Sequence, residues 1–242
     1  MPVAAPLYAE LRYWPELAGL LADGRFRSPA RPGERGRVPP VLLIPGFMAG
    51  DASLTLLASW LRRRGHTVRL SGIRINAGCA GRELTRLERV LVRFDEPAIV
   101  IGQSRGGTMA RALAARHPAA VAAVVMLGSP VLDPLAVSPS VLRTVRSVAR
   151  LGDLGLPGVF SSECRSGACC TDYYALLRAP LTEGMVALMI YSRSDAIVDW
   201  RACIDPSARC VEVNGSHCGM AVNPRVYAEL EHVLEGAQSA AV

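Results

Sequence analysis

A serine stands between two glycines in Gly102-Gln103-Ser104-Arg105-Gly106, where an apolar run, "AIVIG", gives way to an alanine-rich stretch with helical spacing. A hydroxyl at such a junction can serve as a nucleophile. A strand turning straight into a helix forces strained backbone angles on the serine, and side chains at the flanking positions would collide. The bend holds the oxygen out at the helix N-terminus, where aligned peptide dipoles favour negative charge. The five-residue pattern is weak by itself; its strand-to-helix setting gives it weight.

A serine hydroxyl attacks only when a base takes its proton. The chain has four histidines. His66, in "RGHTV", and His117, in "ARHP", read as turn and cap residues, and His232 as a surface residue of the last helix. His217, in "VEVNGSHCGM", follows a strand in a loop of small residues and is the candidate general base. Such a base needs a carboxylate to fix its tautomer and stabilise the imidazolium. Asp195, in "LMIYSRSDAIVDW", lies just past a buried strand and is preferred. Asp199 reads as a helix N-cap, and Asp133, after "VVMLGSP", is a third candidate. An oxyanion forming at the site needs two preorganised donors. The backbone N–H of Arg105 and that of Phe47, in "LLIPGFMAGD", are the expected pair.

The elements that must position these groups follow from periodicity. "VLLIP", "HTVRL", "AIVIG", "AAVVMLGSP", "MVALMIYS" and "RCVEV" read as strands. Helices are expected from an Asp51 or Ser53 cap to about Arg64, over "RELTRLERVLVRF", from Arg105 to Arg116, and over "PRVYAELEHVLEG". Strands that are continuous apolar runs, alternating with helices, indicate a parallel sheet covered on both faces. The rhythm breaks at 131–181, about fifty residues where an ordinary connection takes about 2–6. An inserted lid or cap over a binding site accounts for that length, and "SVLRTVRSVARL" supplies it with a helix. Residues 1–40 form an N-terminal helix and linker, and 41–242 the main domain. The N-terminal helix carries a stripe of Leu7, Leu11, Leu17, Leu20 and Leu21 expected to pack on the domain.

Composition narrows the function further. Half of the residues are apolar, enough for a large core without staples. The longest apolar run, Ala119 to Leu127, falls far short of the roughly 20 residues that span a bilayer. The N-terminus lacks the charged and apolar regions of a signal peptide, so a soluble, cytoplasmic protein is expected. The net charge of +6 comes from scattered arginines with no basic run, which argues against nucleic acid and leaves membrane-surface contact open. The seven cysteines include no CxxC pair, so no metal or redox motif is read from spacing, and no cofactor is expected. "CRSGACC" and "CIDPSARC" leave local bridges open; Cys218, beside His217, reads as a small packing residue.

Together "IPGFMAGDAS", "GQSRGG", "LGSPV", "YSRSDAIVDWRAC" and "SHCGMAVNP" resemble the lipase/esterase branch of the α/β-hydrolase superfamily, particularly bacterial triacylglycerol-lipase-like proteins. The resemblance spans about Val41 to Leu234. It implies an α/β-hydrolase fold: a mostly parallel sheet flanked by helices, with an inserted lid. It also implies Ser104 as nucleophile, Asp195 as acid, His217 as base, and the N–H groups of Phe47 and Arg105 as oxyanion donors. The chain order Ser104, Asp195, His217 is that of the superfamily. Where many lipases have His-Gly before the oxyanion residue, this chain has Pro45-Gly46. The expected activity is hydrolysis of a small-molecule or lipid-like ester with an apolar acyl group. Alternatives are acyl transfer or cyclisation from the same acyl-enzyme, a non-catalytic binding protein on this fold, and a thiol-based metal or redox module near residues 164–218.

Overall fold

The structure is a computed structural model and describes residues 5–28, 38–165 and 167–239. Among these the apolar runs form six strands: β1 (Val41–Ile44), β2 (Val68–Leu70), β3 (Ala98–Gln103), β4 (Val121–Leu127), β5 (Val186–Tyr191) and β6 (Arg209–Glu212). Their order across the sheet is β2-β1-β3-β4-β5-β6, and every pairing is parallel. The helices are α1 (Tyr13–Ala22), α2 (Gly24–Arg27), α3 (Thr55–Arg63), α4 (Ala80–Leu91), α5 (Arg105–Arg116), α6 (Pro139–Asp153), α7 (Ala168–Arg178) and α8 (Pro224–Ser239).

Strand side chains alternate between faces, and both faces here are apolar. Leu42, Ile44, Val100, Val124 and Met126 pack under α4, α5 and α7 against Leu84, Leu87, Met109, Leu113 and Tyr173. Val41, Leu43, Ile99, Ile101 and Val125 pack under α1, α3 and α8 against Leu20, Trp60, Tyr227 and Leu230. This two-sided burial is what a parallel sheet requires, and it explains why the four inner strands read as apolar runs, whereas the edge strands β2 and β6 keep Arg69, Arg209 and Glu212 exposed. The site residues sit in the loops leaving the C-terminal ends of β1, β3, β5 and β6.

Residues 131–181 divide into two parts. α7 belongs to the helical layer over the sheet, with Cys170, Tyr173 and Leu177 in its core. α6, amphipathic and with only Val148 buried, stands outside both core clusters and borders the cavity described below. A buried ion pair crosses this half of the molecule: Arg111 of α5 donates to Asp205 at 2.5 Å and to the Leu176 carbonyl at 3.1 Å.

Two local expectations change. Neither Asp51 nor Ser53 caps α3 with its side chain. A 3₁₀ turn over Asp51–Leu54 precedes the helix, and Asp51 instead accepts from Ser71 Oγ (2.6 Å) and the Gly72 N–H (2.7 Å). The N-terminal element is a 3₁₀ turn, Leu7–Arg12, running into α1. Leu20 is buried and Leu17 packs on the core, but Leu7, Leu11 and Leu21 are exposed. Polar contacts, not that stripe, fasten the element's outer half. No helix among the described residues is long and apolar enough to cross a membrane.

Candidate active site

Ser104 follows β3 directly and caps α5 at φ 54° and ψ −123°. A non-glycine residue rarely adopts such a conformation, which costs on the order of 1–3 kcal/mol. The flanking glycines make it feasible. A Cβ on Gly102 would lie 2.2 Å from the Gly106 carbonyl oxygen, and one on Gly106 would lie 2.3 Å from that of Ile44. The Ser104 N–H donates to the Leu127 carbonyl at 2.7 Å, anchoring the bend to β4.

The loop after β1 presses against the same bend. A Cβ on Gly46 would stand 3.2 Å from Ser104 Cβ. Met48, at φ 58°, is the other non-glycine residue at positive φ among those described, and it turns this loop over the serine. The N–H groups of Phe47 and Arg105 find no acceptor among the described residues, and both residues border the cavity.

Asn76, fully buried, ties these parts together. Its amide donates to the Pro45 carbonyl (2.7 Å), its carbonyl accepts the Met48 N–H (3.2 Å), and its Oδ1 accepts from the Arg105 guanidinium (2.7 Å). Arg105 also donates to the Gly78 carbonyl at 2.5 Å and lies 5.5 Å from the centre of the Phe160 ring. The residue after the serine thus fastens the segment around Asn76 and Gly78 through its side chain.

His217 and Asp195 are brought together: Nδ1 of the ring and Oδ2 of the carboxylate are 2.6 Å apart and buried. The other oxygen, Oδ1, accepts the N–H groups of Ile197 (2.8 Å) and Val198 (2.7 Å). The carboxylate is therefore orientated and fully satisfied. Burial alone would lower the imidazole's pKa. The charge of Asp195, its hydrogen bond and the charge of Glu10 outweigh burial, and the net shift is upward from the ordinary histidine value. Ser104 Oγ makes no hydrogen bond among the described residues, so Asp195 and His217 are joined to each other while the serine is not joined to either.

The remaining candidates fall elsewhere. His66 is buried, with Nδ1 2.7 Å from the Pro39 carbonyl; His117 ends α5 beside Glu88; His232 is exposed on α8. Asp199 caps the 3₁₀ turn Trp200–Cys203, and exposed Asp133 accepts the Leu135 N–H. Cys218 is exposed at the cavity rather than packed.

Two acids escaped the sequence reading. Glu10 accepts the N–H groups of Ala196 (3.1 Å), His217 (3.1 Å) and Cys218 (2.9 Å), and so bridges the loops that carry Asp195 and His217. Glu16 accepts the N–H and Oγ of Ser216, each at 2.8 Å. From the other side Gln103 donates to the His217 carbonyl at 3.1 Å. Acids interrupting an apolar N-terminal helix were the one available sign, and it names no partner.

Ser104, Arg105, Phe47 and His217 border a cavity of about 870 Å³. Its apolar wall comes from Phe47, Leu135, Val141, Leu142, Val145 and Phe160, and exposed Arg146 and Arg150 of α6 also border it.

A family model described as alpha/beta hydrolase fold matches residues 93–153. Among solved structures, mature lipase BlEst2 of Bacillus licheniformis is similar at TM-score 0.57 and 13% identity, covering 86% of this chain and 96% of that one. The chain has the α/β-hydrolase fold. A Paleococcus ferrophilus monoacylglycerol lipase is similar at TM-score 0.57 and 14% identity, over 84% of this chain and 96% of its own. Alpha/beta hydrolase domain-containing protein 10 from mouse is similar at TM-score 0.56 and 16% identity, over 85% and 97%. No curated protein matches the chain. Phe47, Ser104, Asp195 and His217 all lie in loops at the C-terminal ends of the strands, and Arg105 opens α5.

Proposed function

We propose that the protein is a serine hydrolase that cleaves carboxylic esters with an apolar acyl group, using Ser104 as nucleophile, His217 as general base and Asp195 as its orienting acid. The observation that carries this reading is the buried 2.6 Å contact between Asp195 and His217, opening onto the same apolar cavity as the strained Ser104. Asp195 keeps the proton of the neutral ring on Nδ1, which leaves Nε2 with a lone pair to receive the serine proton. Catalytic hydrogen bonds often tighten only when substrate is bound, so the open side of the site closes on the ester.

Ser104 Oγ then bonds to the ester carbonyl carbon as its proton passes to Nε2. The carbonyl oxygen becomes an oxyanion held by the N–H groups of Phe47 and Arg105; one such donor is worth about 10²–10³ in rate. Collapse breaks the carbon–oxygen bond to the alcohol, which leaves with the proton from the imidazolium. Water attacks the acyl-enzyme by the same route in reverse order, releasing the acid and free Ser104. The apolar wall suits a hydrocarbon acyl chain, and about 870 Å³ lies within the range of cavities that enclose small-molecule ligands.

Labelling with a fluorophosphonate and mapping the modified peptide tests the assignment. Wild-type protein should carry the probe on Ser104, and Ser104→Ala should not react; equal labelling of both would end the reading. Product analysis with added alcohol or amine acceptors separates hydrolysis from acyl transfer at the same site.

A further inference from the structure

Four thiols that the reaction does not use converge at one point. Cys79 precedes α4, Cys164 lies in the 3₁₀ turn Ser162–Arg165, and Cys169 and Cys170 sit in the first turn of α7. Their four sulfurs all lie within 4.8 Å of one another. Cys79 and Cys170 are 3.5 Å apart, Cys164 and Cys169 3.8 Å, and Cys169 and Cys170 3.8 Å. Disulfides would join sulfurs in pairs at about 2.05 Å. A zinc–sulfur bond of about 2.3 Å in tetrahedral geometry instead separates neighbouring ligand sulfurs by about 3.8 Å. We propose that Cys79, Cys164, Cys169 and Cys170 form a tetrahedral four-thiolate zinc site that fastens the segment between α6 and α7 to the start of α4.

The surroundings suit thiolates. α4 and α7 both begin at the cluster, presenting their positive ends to its negative charge. The first turns are packed tightly enough that a Cβ on Gly81 would lie 1.8 Å from the Cys169 carbonyl oxygen. Four mutually close sulfurs leave room for one ion, not for a polynuclear cluster whose own atoms would spread the ligands. Thiolate-only tetrahedral coordination suits zinc, and four protein ligands leave no position for water, which makes the site structural.

The sequence argument against a metal rested on the missing CxxC pair, which describes ligands close along the chain. Here the fold delivers the fourth ligand from 85 residues before Cys164. The expected module near 164–218 is also redrawn: Cys203, Cys210 and Cys218 are not in the group. The bound ion would fix the cavity wall, because Phe160, Ser161, Ser162 and Cys164 all border it. The proposal does not rest on the reaction.

The test is metal analysis of the full chain, expressed with zinc and purified under reducing, anaerobic conditions. About one zinc per chain should survive gel filtration, and X-ray absorption should show four sulfurs at about 2.3 Å. Cobalt(II) in its place should give thiolate charge-transfer bands and the d–d bands of tetrahedral cobalt. Cys164→Ser with Cys169→Ser should abolish stoichiometric zinc, while Cys210→Ser retains it. If the double variant fails to fold, the sulfur shell and cobalt spectrum of the unaltered chain decide. Substoichiometric zinc after reconstitution, a shell with fewer than four sulfurs, iron in place of zinc, or disulfides among the four in the denatured, unreduced chain would each overturn the proposal.

Discussion

The carboxylate of Glu10 accepts the backbone N–H of His217 at 3.1 Å, across 207 residues of chain. The same carboxylate takes the N–H of Ala196, next to Asp195, so one side chain links the loops that carry Asp195 and His217. Its charge also contributes to raising the His217 pKa.

Glu10→Gln should therefore move the acid limb of kcat/KM to lower pH, because removing a nearby anion weakens the hold on the imidazolium. Glu10→Ala, which also frees the loops, should lower kcat by roughly 10²-fold through misplacement of the ring. Full pH–rate profiles on a soluble ester check both. An acid limb that stays in place in Glu10→Gln would remove Glu10 from the electrostatics of the site.

Activity and stability should respond to the His217 proton in opposite directions. The folded pKa lies above the unfolded value of about 6.5. The stabilisation from protonation is complete below that unfolded value and is lost as pH rises through the folded one. The same rise creates the neutral base. Thermal unfolding of wild type and His217→Gln across this window should show a wild-type advantage that shrinks with pH; a constant difference would contradict the linkage.

Relaxing the bend should stabilise the protein while silencing it. Glycine adopts the Ser104 angles freely, so Ser104→Gly should gain up to about 1–3 kcal/mol, less the entropy glycine adds to the unfolded chain. Denaturant titration should show a higher midpoint with no ester turnover. A midpoint lowered by more than the glycine entropy cost would mean the serine is not strained.

Cutting back Phe160 should act on binding of long chains. Phe160→Ala removes an aromatic wall worth about 1.5–3 kcal/mol when fully buried, so KM for long acyl esters should rise roughly tenfold or more. Short esters and the fluorophosphonate should react at near wild-type rates. A panel of acyl lengths measures this, and a uniform loss across the panel would place the chain elsewhere.

Asp205→Ala strands Arg111 in the interior. Breaking such a pair costs about 3–5 kcal/mol, whereas Arg111→Met with Asp205→Leu should lie much closer to wild type. Chemical denaturation of the three proteins settles the comparison.

The legible parts of this molecule are those whose causes are local. The four inner strands announced themselves as apolar runs because both sheet faces are covered there, and Gly102 and Gly106 marked the Ser104 bend because only a missing Cβ fits there. The pairing of Asp195 with His217 follows from two strand ends that the sheet sets side by side. Contacts made across the fold left no such imprint. Nothing next to Glu10, Glu16 or Asn76 in sequence names the backbone groups they hold, and Cys79 lies far from the cysteines it meets. The leucine stripe misled for a related reason: Leu7 and Leu11 recur at helical spacing, yet two carboxylates decide how that segment lies.

The turn that carries His217 is gripped from far along the chain: Glu10 lies 207 residues from His217, and Glu16 lies 200 from Ser216. The bend at Ser104 is instead anchored nearby, to the Leu127 carbonyl. Loosening the segment from Leu7 to Ala22 would therefore free the imidazole and leave the strained hydroxyl where it stands.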